Sequence, residues 1–299
     1  MALGLTVPRI AHLSDVHLLD RRAEHDLRCR FVSIQRPLDA ALRAKRLVDA
    51  LRLAVKSGAG HIVISGDLTE MGTPTEFEHF AEILHGSGIA PESITLIPGN
   101  HDVYTAPDAW RRALEGPLAA FKAASAEGPG KIVERGDLVL LPLDVTKYQS
   151  VARSGGELTE PWARAVEARL GDESLRKKAA VVVQHHPPFS NPKSPWHFID
   201  GLAGYARMLA ILGGHTHAQL LHGHTHQIAD RLVPAPLQRV ADGLRHAAAN
   251  VVAPGAALAR RILPRVFSAP ATVEDEVGRP RVRLYDLRDG RLEAIGLAA

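Results

Sequence analysis

Ile94-Thr95-Leu96-Ile97-Pro98-Gly99-Asn100-His101-Asp102 sets the reading of the whole chain. Its first four residues predict a short buried strand, and Pro98-Gly99 closes that strand in a tight turn. Three polar side chains then follow at one point. An Asn amide oxygen ligates hard metal ions. A His beside it can donate a proton, and an Asp beside the His can hold the ring in one tautomer.

The same pattern recurs on either side. Residues 7–13 read as a first strand that runs into Ser14-Asp15-Val16-His17. In an extended chain Asp15 and His17, two apart, share a side. Residues 61–64 form a compact β-branched strand. It delivers Ser65-Gly66-Asp67, where the glycine allows close backbone approach and frees the carboxylate. Further on, Ala179–Val183 ends at Gln184-His185-His186-Pro187-Pro188, whose prolines stop the strand and present His185 on a rigid turn. A near-repeat follows: Gly214-His215-Thr216-His217, then Gly223-His224-Thr225-His226. Only the second copy follows a plausible strand, so His224 and His226 are the expected pair. His215 and His217 stand at a helix end.

Between these strands the spacing is helical. Leu42, Leu47, Val48, Leu51 and Val55 mark a helix over 37–56. Thr73-Pro74-Thr75-Glu76 is a capping box with proline at the first helical position. Helical spacing over 106–124 is broken at Gly116-Pro117. Two strands flank the turn 134–137, and helices are expected over 159–170 and 202–212. Polar residues at the carboxyl ends of strands that alternate with helices is how open α/β sheets hold ligands. The Arg-rich segment 18–36 reads as a loop or short helix on the site rim. After Gln227 the signals weaken to short strands at 250–252, 266–267 and 281–285, with an Asp289-Gly290 hairpin turn. The expectation is one domain over 1–299, with its core at about 7–227 and 228–299 supplying C-terminal strands and decoration.

Composition narrows the class. The 299 residues are 45% hydrophobic and 23% charged, enough for a sizeable core and against wholesale disorder. A net charge of +3 with no basic tract gives nucleic acid no support as a partner. No apolar run reaches the roughly 18 residues of a membrane span, and the first ten residues lack the pattern of a signal peptide. The single cysteine, Cys29, forms no intrachain disulfide and fits a reducing compartment, so a cytoplasmic location is expected. The outlier is histidine, with 16 residues, and imidazoles gathered at strand ends point to metal.

Collected, the strand-end groups are Asp15, His17, Asp67, Asn100, His185, His224 and His226. These carboxylate, imidazole and amide donors, with no thiolate, suit Mn, Fe or Zn. Seven donors are too many for one tetrahedral zinc. They suit two ions that share Asp67, with water in the remaining positions. Two ions about 3.5–4 Å apart clamp the attacking and leaving oxygens of an in-line displacement, and a water between them becomes the nucleophile.

The series D-x-H, G-D, G-N-H-D, H and G-H-x-H resembles the calcineurin-like metallophosphoesterase superfamily. The stretches are Asp15 to His17, Gly66-Asp67, Gly99 to Asp102, His185, and Gly223 to His226. The H-H-P-P form and the spacing are most similar to the branch with class III cyclic-nucleotide phosphodiesterases and glycerophosphodiesterases. The resemblance implies an α/β fold, a four-layer α/β/β/α sandwich of two mixed β-sheets flanked by helices. It implies one metal on Asp15, His17, Asp67 and His226, and another on Asp67, Asn100, His185 and His224. His101 would be the general acid, paired with Asp102. The expected cofactors are two divalent or trivalent ions, Mn or Fe, or Zn. The expected reaction is hydrolysis of a small-molecule phosphodiester of cyclic-nucleotide or glycerophosphodiester type. The alternatives are a phosphomonoesterase, a UDP-diacylglucosamine-type hydrolase, and a non-catalytic scaffold on the same fold. The scaffold would be expected to lose ligands. The lipid-linked hydrolase would want an exposed apolar surface, which the sequence does not reveal. Oligomeric state is not legible.

Overall fold

The computed structural model describes residues 7–33, 36–189, 194, 196–233, 263–273 and 281–298. Its strands are β1 Arg9–Leu13, β2 His61–Ser65, β3 Ile94–Ile97, β4 Val133–Arg135, β5 Leu138–Pro142, β6 Gly156–Glu157, β7 Ala179–Val183, β8 Leu202–Ala203, β9 Gln219–His222, β10 Ala229–Leu232, β11 Arg265–Ser268, β12 Val282–Arg288 and β13 Arg291–Ala298. Its α-helices are α1 Leu27–Val32, α2 Ala40–Lys56, α3 Pro74–Gly86, α4 Ala109–Glu115, α5 Glu160–Leu170, α6 His197–Asp200 and α7 Tyr205–Gly214.

Two mixed sheets result. The first runs β13-β12-β1-β2-β3, and the second β10-β11-β9-β7-β5-β4; β6 and β8 form a small separate pair. In the first sheet β1, β2 and β3 are parallel, and β12 and β13 are antiparallel additions. In the second, β5, β7, β9 and β11 are parallel, with antiparallel strands at both edges.

Alternation along the second sheet builds the layers. Ala179, Val181 and Val183 of β7 pack in one core with β1–β3 and helices α2, α3 and α4. Ala180 and Val182 face the other way and pack with Ala163 and Val166 of α5 and Met208 and Ile211 of α7. The same split divides Leu138 and Leu140 from Val139 and Leu141 in β5. The order is helices, sheet, sheet, helices, the four-layer sandwich the resemblance implies. Gln219 of β9 clips the sheets together: its Oε1 accepts from Leu292 N at 2.6 Å and its Nε2 donates to Leu292 O at 2.9 Å.

Several expectations hold and some shift. The capping box forms, with Thr73 and Glu76 exchanging hydrogen bonds at the start of α3. Asp289 and Gly290 make the turn between β12 and β13, both at positive φ. The long helical pattern splits into α4 and a 3-10 turn, Ala119–Ala124, on either side of Gly116-Pro117. In α2 the buried stripe is Arg43, Leu47, Ala50, Leu51 and Ala54, and Val55 is exposed. That face mixes alanines with Leu47, Leu51 and the fully buried Arg43. The C-terminal segment does more than decorate. β12 lies between β1 and β13, and β11 lies between β9 and β10. The strand expected at 250–252 lies outside the described residues. Among the described residues no helix is long and apolar enough to cross a membrane.

The buried cap carries a pH signature. Burial pushes the Glu76 carboxyl up to about 7 from an ordinary 4.5, against the downward pull of backbone N–H bonds from Thr73 and Met71. Its Oε1 is buried with no hydrogen-bond partner. A folded-state pKa above the unfolded one means the contribution is present below about 4.5 and is lost as pH rises to about 7. Glu76→Gln should therefore gain stability over the parent at about pH 8, by up to ~3 kcal/mol, and gain little near pH 5. Denaturant unfolding at both pH values checks this; parallel pH profiles for the two proteins would show that Glu76 is ionised in the fold.

Candidate metal centre

The carboxyl ends of β1, β2 and β3 meet those of β7 and β9. Asp15 and His17 follow β1, Asp67 follows β2, Asn100 follows β3, His185 follows β7, and His224 and His226 follow β9. The first two turns are laced together: Asp15 N donates to Gly66 O at 3.1 Å and His17 N to Asp67 O at 2.8 Å.

Six of the seven predicted donors come together, in two groups. His226 Nε2 lies 3.1 Å from Asp15 Oδ1, and His17 Nε2 lies 3.5 Å from His226 Nε2 and 4.0 Å from Asp15 Oδ1. Asp67, His185 and His224 form the other group, with ligand atoms mutually within 4.8 Å. Asp67 Oδ2 stands between them, 3.3 Å from His185 Nε2 and 3.8 Å from His17 Nε2. Asn100 stands beside His101 in the chain, and His101 N donates to Asp67 Oδ1 at 2.9 Å.

The convergence has a different local cause from the one expected. Six non-glycine described residues have positive φ, and five are Asp15 (53°), His17 (47°), Asp67 (49°), His224 (66°) and His226 (55°). Strand alternation therefore does not aim these side chains. Left-handed turns just past the strand ends do, a conformation non-glycine residues adopt at a cost of order 1–3 kcal/mol each and keep where the surroundings impose it. Glycines make room for them. A Cβ at Gly99 would overlap Asp67 N and Oδ1, and one at Gly223 would overlap Ser14 Oγ.

The residues fit a metal on several counts. Asn100 Oδ1 is buried with no hydrogen-bond partner, while its Nδ2 donates to Tyr104 Oη at 2.9 Å. His185 Nε2 is likewise without hydrogen-bond alignment. The far nitrogens are held: His185 Nδ1 donates to Ser65 O at 2.7 Å and His224 Nε2 to Asp200 O at 3.0 Å. His17 Nδ1 lies 3.4 Å from Glu70 Oε2 without a hydrogen bond. Fixing the outer nitrogen of an imidazole is how proteins orient it toward an ion. The site also carries opposed charges suited to one. Burial alone would raise Asp15, but the His226 imidazole more than reverses this and brings it down to about 2. Burial would lower His185, yet the Asp67 carboxylate raises it to about 9. Burial takes His224 down to about 3.

One expectation changes. Asp102 does not pair with His101. Its carboxylate accepts from Leu68 N at 3.0 Å, Thr69 N at 2.9 Å, Thr69 Oγ1 at 2.7 Å and Gly99 N at 2.8 Å. It staples the turn after β2 to the turn after β3. His101 Nδ1 donates instead to Glu70 O at 2.7 Å, leaving Nε2 turned toward Asp67 Oδ2 at 3.9 Å. Successive residues of the tight 3-10 turn His101–Val103 point apart, so chain adjacency does not make contact. The extra pair, His215 and His217, sits before β9, at the opposite end of that strand from His224.

Sequence reasoning missed Glu70 and Arg43. Glu70 also lies near His17 and His101, but both its oxygens are taken: Arg43 Nη1 donates to Oε2 at 2.6 Å, and Ser33 Oγ and Arg36 Nη2 to Oε1 at 2.7 and 2.9 Å. Arg43, fully buried, also donates to His17 O at 2.8 Å. The pair is scaffolding beneath the site. The only signal was an arginine on the inward stripe of an amphipathic helix.

Gly99→Ala tests the close approach. It should displace Asp67 and lower metal affinity roughly 10–100-fold, the scale of lost support around ligands. Gly86→Ala, which meets nothing within 4 Å, should change neither metal content nor stability measurably. Metal titration followed by calorimetry reads both; equal affinities would show that the turns relax freely.

The chain is 25% identical over 219 residues to a 3′,5′-cyclic-nucleotide phosphodiesterase from Nostoc sp., covering 73% of this chain and 71% of that protein. It is similar in fold to a dimetal phosphatase from Danio rerio, with a TM-score of 0.57, 11% sequence identity, and coverage of 98% of this chain and 96% of that one. The family model described as calcineurin-like phosphoesterase matches residues 8–227, a span that begins one residue before β1 and ends one residue after His226. All five strand ends fall inside that match, and the chain belongs to the calcineurin-like phosphoesterase family.

Proposed function

We propose that the chain is a dinuclear metal-dependent phosphodiesterase acting on a small phosphodiester of cyclic-nucleotide or glycerophosphodiester type. Family membership carries the coarser statement, a metal-binding phosphoester hydrolase. The finer one is supported by the phosphodiesterase relative from Nostoc sp. and by one observation above all: six of the seven donors gather in two groups, with Asp67 Oδ2 facing both.

One ion would be held by Asp15, His17, Asp67 and His226, and the second by Asp67, Asn100, His185 and His224. Mn and Fe suit this set of nitrogen and oxygen donors, as does Zn. When bound, the two ions supply Lewis acidity that activates water and neutralises phosphoryl charge. The chain's own part is orientation and proton delivery. Asp67 faces both groups. Glu70 O fixes His101 through Nδ1–H, so Nε2 is the nitrogen left to carry a proton to the departing oxygen. Asp102 acts on catalysis only by keeping the Asn100-His101 turn against the Asp67 turn. Single-domain action is supported by the C-terminal strands completing both sheets.

Two measurements test the proposal. Protein purified without chelator should carry close to two ions per chain and hydrolyse bis(p-nitrophenyl) phosphate faster than p-nitrophenyl phosphate. A chelator should abolish the activity and Mn restore it. No bound metal, with no activity after Mn or Fe is added back, would leave the non-catalytic scaffold as the better reading.

His101→Ala should lower kcat about 10²–10⁴-fold on a diester with an alkoxide leaving group, and far less on bis(p-nitrophenyl) phosphate, whose leaving group needs no proton. Equal losses on both would remove the acid role from His101.

A further inference from the structure

The described residues expose ten large apolar side chains, and five of them stand on three segments around the site. Leu27 and Phe31, 79% and 56% exposed, are one turn apart on α1. Tyr148 is exposed in the loop after β5. Trp196 and Phe198, 65% and 76% exposed, stand at the start of α6.

The three segments interlock around the metal centre. Cys29 of α1 packs in one cluster with Tyr104 and Val151, and Tyr104 Oη accepts from Asn100 Nδ2. The loop of Val151 continues to Ser154, whose N donates to Ile199 O at 2.8 Å and whose O accepts from His186 Nε2 at 2.6 Å. Asp200 O, at the end of α6, accepts from His224 Nε2. Each segment is thus fixed to the site by its inner side and carries bulky apolar groups outward.

Basic groups flank the apolar ones. Arg21, Arg22, Arg28 and Arg30 are exposed and form no ion pair among the described residues. Three acids lie among them and are held by the protein's own donors: Asp20 accepts from Arg22 N and Thr75 Oγ1, Glu24 from Ala40 N, and Asp26 from Arg28 N; the four arginines still outnumber them. On α1, Leu27 and Phe31 are exposed with Arg28 and Arg30 exposed beside them, while Cys29 faces inward. That combination suits the headgroup boundary of an anionic bilayer, where apolar side chains enter and arginines meet lipid phosphate. A small polar substrate needs no such rim, and lone exposed apolar residues scattered over a surface would not gather on three segments.

We propose that this rim docks the site on an anionic lipid surface and so offers it phosphodiesters carried on lipid headgroups. The docking stands on the rim alone; the substrate class rests on the phosphodiesterase reading above.

The test uses the full Mn-loaded chain with phosphatidylcholine vesicles, with and without phosphatidylglycerol. Co-sedimentation should require phosphatidylglycerol and weaken as salt rises. Of the three tryptophans, Trp110 is buried and Trp162 half-buried, so a blue shift in emission on docking reports Trp196. Leu27→Ser with Phe31→Ser should cut binding about tenfold or more, and Arg28→Gln with Arg30→Gln should remove the lipid-charge dependence. Trp196→Ser with Phe198→Ser provides the same readout from the other side of the rim. Hydrolysis of bis(p-nitrophenyl) phosphate without lipid, unchanged in the Leu27/Phe31 variant, shows that it is folded. Absence of pelleting, or pelleting indifferent to these substitutions, overturns the docking. So does a concentration-dependent dimer that the same substitutions abolish, which would assign the face to a second copy of the chain. If vesicles bind and the chain hydrolyses nothing, docking stands and the catalytic reading fails; if hydrolysis is intact and vesicles do not bind, the reverse holds.

Discussion

Asp67 is a carboxylate with 2% of its surface exposed, at the line where two sheets end together. Taking such a group out of water costs several kcal/mol unless its surroundings compensate. Here they do so from every side: His101 N donates to it, and His185 and His17 stand against its other oxygen. Burial pushes its carboxyl up, and those imidazoles bring it well below the ordinary range. One sheet supplies the acid and the other supplies His185, so neither sheet can shift along its strands without stranding a buried charge. The register of the sandwich and the shape of the site are the same constraint.

A second layer of charge holds that arrangement up. Glu70 gathers Arg43, Arg36 and Ser33 beneath His17, and Arg43 returns a bond to the backbone of His17. This ties α2 and the end of α1 to the turn after β1. Asp102 does the equivalent between the turns after β2 and β3. The left-handed residues sit on this frame, which is why five polar side chains can keep a backbone conformation that a loose loop would abandon.

Much of this was legible in the residues. Apolar runs that end in Gly66-Asp67, Gly99-Asn100 and Gly223-His224 mark strand ends by composition alone, and the duplicated G-H-T-H was resolved by asking which copy follows a strand. What could not be read were directions and distant partners. Asp102 beside His101 suggests a pair, and only the turn geometry sends its carboxylate to backbone amides. Arg43 on a helix reads as a solvated charge until its partner, 27 residues away, is seen. Val55 reads as core by periodicity and is exposed because the buried stripe runs through Arg43, Leu47, Ala50, Leu51 and Ala54 beside it. The insertion of β12 beside β1 joins residues such as Arg9 and Asp286, and no local pattern announces a pairing of that range.

That last pairing gives the molecule a timetable. Synthesis runs from β1 toward β13, and β1 gains its second neighbour only when Val282–Arg288 has been made. The second sheet waits similarly, because β11 closes on β9 from Arg265–Ser268. Until then both sheets end in open edges beside the turns that bear Asp15 and His224, and open edges invite wrong partners. The two halves of the donor set are thus framed by strands made long after the turns that carry them, and the framed site exists only once those strands have joined their sheets.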